Sequence, residues 1–175
     1  MKRNQKNLLG VIILIIFVSI YNYQTKYDTY DNKEFIKNVS LSLEDNQEII
    51  IFESKNPFNF YDILNNLNNV SSQTVYGIIT YPEIKKNKYP IIIGVAGSAG
   101  WGEHHYKYLD IYNEIGIATL ALHSFESRGV TSTVGEQVSA TIPMVVHDAF
   151  SALNALSNNK KIDINQVGIT GWSFG

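Results

Sequence analysis

VGITGWSFG, residues 167–175, joins an apolar, β-branched run, Val167–Thr170, directly to Gly171-Trp172-Ser173-Phe174-Gly175. G-x-S-x-G at the end of a strand is the pattern of a nucleophile elbow, a tight turn that lifts a serine hydroxyl toward a substrate. Glycines two residues to either side remove the Cβ atoms that would collide in so sharp a turn. The bare pattern is weakly specific, and its meaning comes from its place after a strand and from a second feature upstream. The plainer alternative for Ser173 is a loop serine closing an ordinary strand-to-turn connection.

That second feature follows the run Ile91–Val95, where Ala96-Gly97-Ser98-Ala99-Gly100-Trp101-Gly102 forms a glycine-rich loop. Glycines let successive backbone N–H groups turn toward one point, which can stabilise an oxyanion. With Ser173 as nucleophile, one donor is the N–H of Ser98 and the other that of Phe174, the residue after the serine. A rival reading is phosphate binding, since a glycine-rich turn between strand and helix can cradle a nucleotide. Against it, glycines at 97, 100 and 102 do not match G-x-G-x-x-G and no Gly-Lys-Ser/Thr follows. The next strand also ends at Leu122-His123 rather than at an acid, as dinucleotide binding would require.

Working outward, apolar runs recur at Ile49–Phe52, Thr74–Thr80, Ile91–Val95, Ile117–Leu122 and Val167–Thr170, each bounded by Gly, Pro or Asn; these predict strands. A helix is predicted over about Glu103 to Ile115, with Tyr108, Tyr112 and Ile115 on one face and Gly116 as its stop. A second is predicted from Pro143, a favoured first helical residue, with Val145/Val146, Ala149, Ala152/Leu153 and Leu156 as a core stripe. Strands alternating with helices after residue 90, and near-continuous apolar strands such as IIIGV, predict a mostly parallel sheet covered on both faces. The fold class is α/β.

Residues 89–135 (YPIIIGVAGSAGWGEHHYKYLDIYNEIGIATLALHSFESRGVTSTVG), the helix VVHDAFSALNAL and DINQVGITGWSFG together resemble the dienelactone hydrolase family of α/β hydrolases. The resemblance runs from about Val75 to Gly175. It implies an α/β-hydrolase fold with an eight-stranded sheet and a serine or cysteine hydrolase acting on esters or lactones. It also implies a triad in the chain order nucleophile, acid, histidine, so the acid and histidine are expected beyond residue 175 and the fold is expected to be cut after the nucleophile strand. Two positions depart from the family: the histidine usual before the first loop glycine is Ala96, and the acid common near the end of the next strand is His123. Neither change removes an oxyanion N–H.

Polar and aromatic residues elsewhere in the chain offer further candidates for the site. Trp101 and Trp172 flank it in sequence, and His123 and Arg128 follow a strand's carboxyl end, where sheet enzymes build pockets; these four are the candidate substrate-pocket residues. Arg128 could bind a carboxylate with its fork or equally anchor its loop. His104 and His105 begin a helix beside the oxyanion loop, so at most one can face the site. His147 shares a helix face with Ser151, Asn154 and Asn158, opposite the apolar stripe, and is predicted to be solvated. No His or acidic pair shows metal-site spacing, so neither metal nor cofactor is expected.

The 175 residues are 45% hydrophobic and 17% charged, enough apolar material for one domain with a real core. A net charge of −2 excludes the electrostatic footprint of a nucleic-acid binder. With no cysteine there is no disulfide framework, thiolate metal site or cysteine nucleophile. Lys2, Arg3 and Lys6 precede the apolar run Leu8–Ile20, which is short for a membrane-spanning helix and suited to an export signal. YNYQTKYD follows it, lacking the small residues of a signal-peptidase site and offering interfacial tyrosines. The expected organisation is a signal or anchor segment, 1–23, a polar tether, 24–47, and a partial α/β-hydrolase domain, 48–175. An uncleaved anchor would leave the domain extracytoplasmic, periplasmic or exported, and a cleaved signal would leave it secreted.

The expected function is hydrolysis of a small-molecule ester or lactone through an acyl-enzyme on Ser173. The alternative from another class is a catalytically dead, membrane-tethered binding module that keeps the fold without the chemistry. Transacylation would share the nucleophile and differ in the acceptor.

Overall fold

The computed structural model describes residues 12–16 and 29–175. Residues 12–16 are helical and exposed, and among the described residues no helix is long and apolar enough to cross a membrane. The rest of the expected signal or anchor segment lies outside the described residues.

Five strands form one sheet: β1 (Gln47–Lys55), β2 (Ser72–Thr80), β3 (Tyr89–Val95), β4 (Ala118–Leu122) and β5 (Ile162–Gly171). Their order is β1-β2-β4-β3-β5. β1 pairs antiparallel with β2, and β2 antiparallel with β4, while β3 pairs parallel with both β4 and β5. A parallel partner cannot follow through a tight hairpin. The two crossovers are helices, α2 (Glu103–Glu114) between β3 and β4, and α3 (Ile142–Leu156) between β4 and β5.

The helices lie on opposite faces, as right-handed crossovers running in opposite directions along the sheet require. Ile93 and Leu120 join Val145, Ala152 and Leu156 of α3 in the main apolar cluster. On the other face, a Cβ at Gly94 would meet Trp101 at 3.0 Å and Leu109 of α2 at 3.1 Å. All five expected strands are present, most with longer limits. β5 starts at Ile162, five residues before the apolar run, because its pairing with β3 begins at Tyr89↔Ile162 and is interrupted before Ile91↔Val167. In that interruption Asn165 and Gln166 both donate to the Asp163 carboxylate, so period-2 patterning is lost there.

Both expected helices form, with differences at their faces. α3 begins at Ile142, capped by the Thr141 hydroxyl accepting from Met144 N–H, with Pro143 one position further in. Its buried stripe includes Asp148, fully removed from solvent. In α2 the buried residues are His105 and Leu109, whereas Tyr108 and Ile115 are 54% and 63% exposed; the expected Tyr108/Tyr112/Ile115 face is not the packed one. Gly116 ends the helix at φ +83°.

Within the 24–47 segment, residues Lys33–Leu41 form helix α1, and the residues before it are stitched to the sheet. Asn32 donates to the carbonyls of Thr74 (2.8 Å) and Ser127 (2.9 Å), and Gln73 exchanges bonds with both backbone groups of Tyr30. These partners lie 42 to 95 residues away in sequence, which is why a polar stretch without periodicity looks like a tether when read alone.

Candidate active site

The parallel register Val95↔Gly171 ends β3 and β5 side by side, so the chain leaving each strand emerges at one sheet edge. β4 lies on the other side of β3. Open α/β sheets build their sites beyond the carboxyl ends of their parallel strands.

After Gly171 the chain reverses in a tight turn. Trp172 N–H donates to the Val95 carbonyl (3.3 Å) and Gly175 N–H returns to the Trp172 carbonyl (3.1 Å). Ser173 takes φ +57°, and Gln137 is the other non-glycine residue with positive φ among those described. A left-handed non-glycine costs on the order of 1–3 kcal/mol and persists only where the surroundings enforce it. They do so here through missing side chains: a Cβ on Gly171 would collide with the Gly175 carbonyl group. One on Gly175 would meet the carbonyl oxygens of Val95 at 2.5 Å and Ala96 at 2.8 Å. The result is an exposed Ser173 presented at the strand's end.

The glycine-rich loop packs against this turn. A Cβ on Gly97 would stand 3.0 Å from the Trp172 carbonyl oxygen and 3.4 Å from Ser173 Cβ. Gly100 N–H donates to the Gly97 carbonyl (2.9 Å), and Gly100 takes φ +77° with the Thr131 carbonyl oxygen 2.7 Å from where its Cβ would be. The Ser98 carbonyl accepts from Thr133 N–H (2.7 Å) and from the Ser132 hydroxyl (3.2 Å). Among the described residues, neither Ser98 N–H nor Phe174 N–H donates a hydrogen bond. Phe174 itself is half-buried against Phe125, ring centroids 5.8 Å apart.

The four pocket candidates separate. Trp172 meets Trp101 (6.0 Å), His105 (4.8 Å) and Tyr108 (6.0 Å) in an aromatic cluster beside the serine. Trp101 is pinned by its indole N–H donating to the Leu122 carbonyl (3.0 Å). His123 is 7% exposed, stacked on Tyr76 at 4.7 Å. Its Nδ1 stands 3.4 Å from Glu126 Oε1 without hydrogen-bond alignment, and Nε2 has no partner among the described residues. Arg128 has acceptors for all five of its N–H groups in Asn56, Lys55, Ser124 and Asp148. Of the two roles open to it in sequence, the loop anchor is the one its geometry supports.

One histidine also departs from expectation. His147 is half-buried rather than solvated, its Nδ1 2.9 Å from the Ser54 hydroxyl and 3.3 Å from that of Ser151. Burial holds its pKa below the usual imidazole range, helped by Arg128 and Lys55 and opposed by Asp148. His105 is buried at the start of α2, and His104 is exposed. No described side chain hydrogen-bonds to the Ser173 hydroxyl. A cavity of about 810 Å³ lies between α2 and strands β2 and β4 and is not lined by Ser173.

Known structures share this fold. A dienelactone hydrolase-like promiscuous phosphotriesterase from metagenomic libraries superposes with a TM-score of 0.50 at 17% identity, over 74% of this chain and 51% of that one. The protein m3DLH superposes with a TM-score of 0.51 at 15% identity, again over 74% and 51%. The chain has the α/β-hydrolase fold. It spans about half the length of these structures. No family model matches the sequence, and none of the curated proteins is similar enough to match it. In this chain of α/β-hydrolase fold the turn at Ser173 follows β5 and the glycine-rich loop follows its parallel neighbour β3, so strand order alone brings the two features together.

Proposed function

We propose that this chain is the nucleophile-bearing part of a dienelactone hydrolase-like serine hydrolase acting on a small-molecule ester or lactone. The observation that carries the reading is Ser173 at φ +57° between two glycines that admit no side chain, with Gly97 of the glycine-rich loop in contact with it. Ser173 Oγ attacks the carbonyl carbon and its proton passes to a histidine supplied by polypeptide beyond Gly175. The carbonyl oxygen becomes an oxyanion, received by the N–H groups of Ser98 and Phe174. Collapse of the intermediate expels the alkoxide with that proton, leaving an acyl-enzyme that water hydrolyses. In a lactone, leaving group and acyl group remain one molecule.

Labelling with a fluorophosphonate tests it, using the protein that extends past Gly175, with Ser173→Ala as control. Labelling that disappears in the control is expected. A folded protein that takes no label overturns the reading and leaves the non-catalytic module. The amino-terminal reading belongs to the same proposal: Lys2, Arg3 and Lys6 before Leu8–Ile20 hold the chain at a membrane, with the domain on the extracytoplasmic face. Carbonate washing should leave such a protein in the membrane pellet, and release with a shortened mass would show a cleaved signal instead.

A further inference from the structure

Helix α2 is preceded at its cap position by Gly102, which has no side chain to cap the helix, and His105 fills that role in reverse. Gly102 N–H donates to His105 Nδ1 at 3.0 Å, while His105 N–H donates to the Gly102 carbonyl at 2.9 Å. An imidazole nitrogen accepts only when it carries no proton, so Nδ1 is bare and the neutral ring holds its hydrogen on Nε2. The ring is placed where this matters. His105 is 5% exposed, with Trp101 edge-on at 5.7 Å and Trp172 tilted at 4.8 Å. Trp101 belongs to the glycine-rich loop, and Trp172 immediately precedes Ser173. One ring therefore touches both halves of the site and hydrogen-bonds one of them.

We propose that His105 is a positioning residue: its neutral ring ties the glycine-rich loop to α2 and wedges that loop against the elbow, and a proton on Nδ1 undoes the link. The catalytic meaning of this tie rests on the reading of Ser98 N–H as an oxyanion donor. Protonation turns Nδ1 from an acceptor into a donor facing the Gly102 N–H, so the capping bond becomes a repulsive contact. The groups around the ring resist that proton. Burial lowers its pKa, and so does His104 on the same helix, ring centroids 3.8 Å apart. The loop and the elbow contribute the uncharged indoles of Trp101 and Trp172. Glu103, the nearest carboxylate in sequence, is paired with Lys107 at 2.8 Å on the exposed side of the helix. The link therefore holds through neutral pH and fails on the acid side of the ordinary histidine range, about 6.5.

The two indoles are the chain's only tryptophans, and an imidazolium in contact with indole quenches its emission, so fluorescence reads the ring directly. Titrating the protein from pH 8 to 4.5 should give one step in tryptophan emission with its midpoint below about 6.5. His105→Gln supplies an acceptor without a proton to gain, and should abolish the step while keeping the high-pH emission. His104→Gln should keep the step and move it to higher pH, since a neighbouring positive charge is removed. A step that survives in His105→Gln, as it would if His123 at 5.9 Å from Trp101 were the quencher, overturns the proposal. Long-range proton–nitrogen correlation on the unmodified protein is a second reading that needs no variant: at pH 8 a hydrogen on His105 Nδ1 likewise overturns it. Neither measurement depends on whether Ser173 reacts, so failure of this proposal and failure of the hydrolase reading are separately visible.

Discussion

The guanidinium of Arg128 grips the carboxylate of Asp148 with two bonds, Nη1 to Oδ2 at 2.7 Å and Nη2 to Oδ1 at 3.0 Å, and both side chains are nearly or wholly sealed from water. The Ser54 hydroxyl donates to the same Oδ1 at 2.6 Å. Arg128 Nε also reaches Asn56 at 2.8 Å. One buried pair thus joins the turn after β4, helix α3 and the end of β1. Removing one partner of such a pair strands the other charge in a medium that solvates it poorly.

Asp148→Ala or Arg128→Ala is accordingly expected to destabilise the fold by about 3–5 kcal/mol. Urea unfolding followed by circular dichroism checks this. A loss below about 1 kcal/mol would show that water reaches the pair in solution.

The Lys161–Glu48 pair makes the contrast. It is short, 2.8 Å, but its side chains are 59% and 35% exposed. Lys161→Ala is expected to cost less than about 1 kcal/mol, because water solvates both charges when they part. The same urea experiment compares the two pairs directly.

Gly171→Ala and Gly97→Ala test the elbow separately from the core. A new Cβ at 171 has no room beside Gly175, and one at 97 presses on Trp172 and Ser173. Both variants are expected to keep their circular dichroism and lose fluorophosphonate labelling of Ser173 in the protein that extends past Gly175. The Gly171 change should be the more severe, since a Cβ there would stand 2.6 Å from the Gly175 carbonyl oxygen, against 3.0 Å from the Trp172 carbonyl oxygen at position 97.

Leu120 is fully buried at the centre of the sheet. Leu120→Ala leaves a cavity there and is expected to cost about 2–5 kcal/mol, read from the same denaturation curves.

Acid should weaken the fold partly through His147. Its folded pKa is depressed by burial, so between that value and about 6.5 the unfolded chain binds a proton that the folded one refuses. The stability tied to this ring is complete above about pH 6.5 and falls as pH drops toward the folded value. Melting temperatures at pH 8 and pH 5 should converge more closely in His147→Asn than in the unmodified protein; an unchanged gap would exclude the ring from the acid response.

The elements that could be read in advance obey short-range rules. Gly171 and Gly175 are required by a turn that closes on itself. Gly116 stops α2 in a left-handed conformation, and the apolar runs of β3 and β4 are buried by helices their own crossovers supply. Which face of α2 packs was not legible, because Tyr108 and Leu109 both suit an apolar stripe and the sheet selects Leu109. Asp148 lies on the same stripe as Val145 and Ala152, where an acid has no place until its arginine partner is known.

By itself, then, the sequence determined the class of fold, the strand-to-turn junction at Ser173 and the glycines that permit it, since each depends on sterics within a few residues. Tertiary structure alone decided what Arg128, His147, His105 and Asn32 do. Their partners include Asp148, 20 residues away, Ser54, 93 residues away, and Ser127, 95 residues away. His105 bonds only three residues back to Gly102, but the indole of Trp172 that shields its ring arrives from β5. The physical reason is that a polar side chain takes its role from the groups that replace its water, and folding brings those from distant parts of the chain.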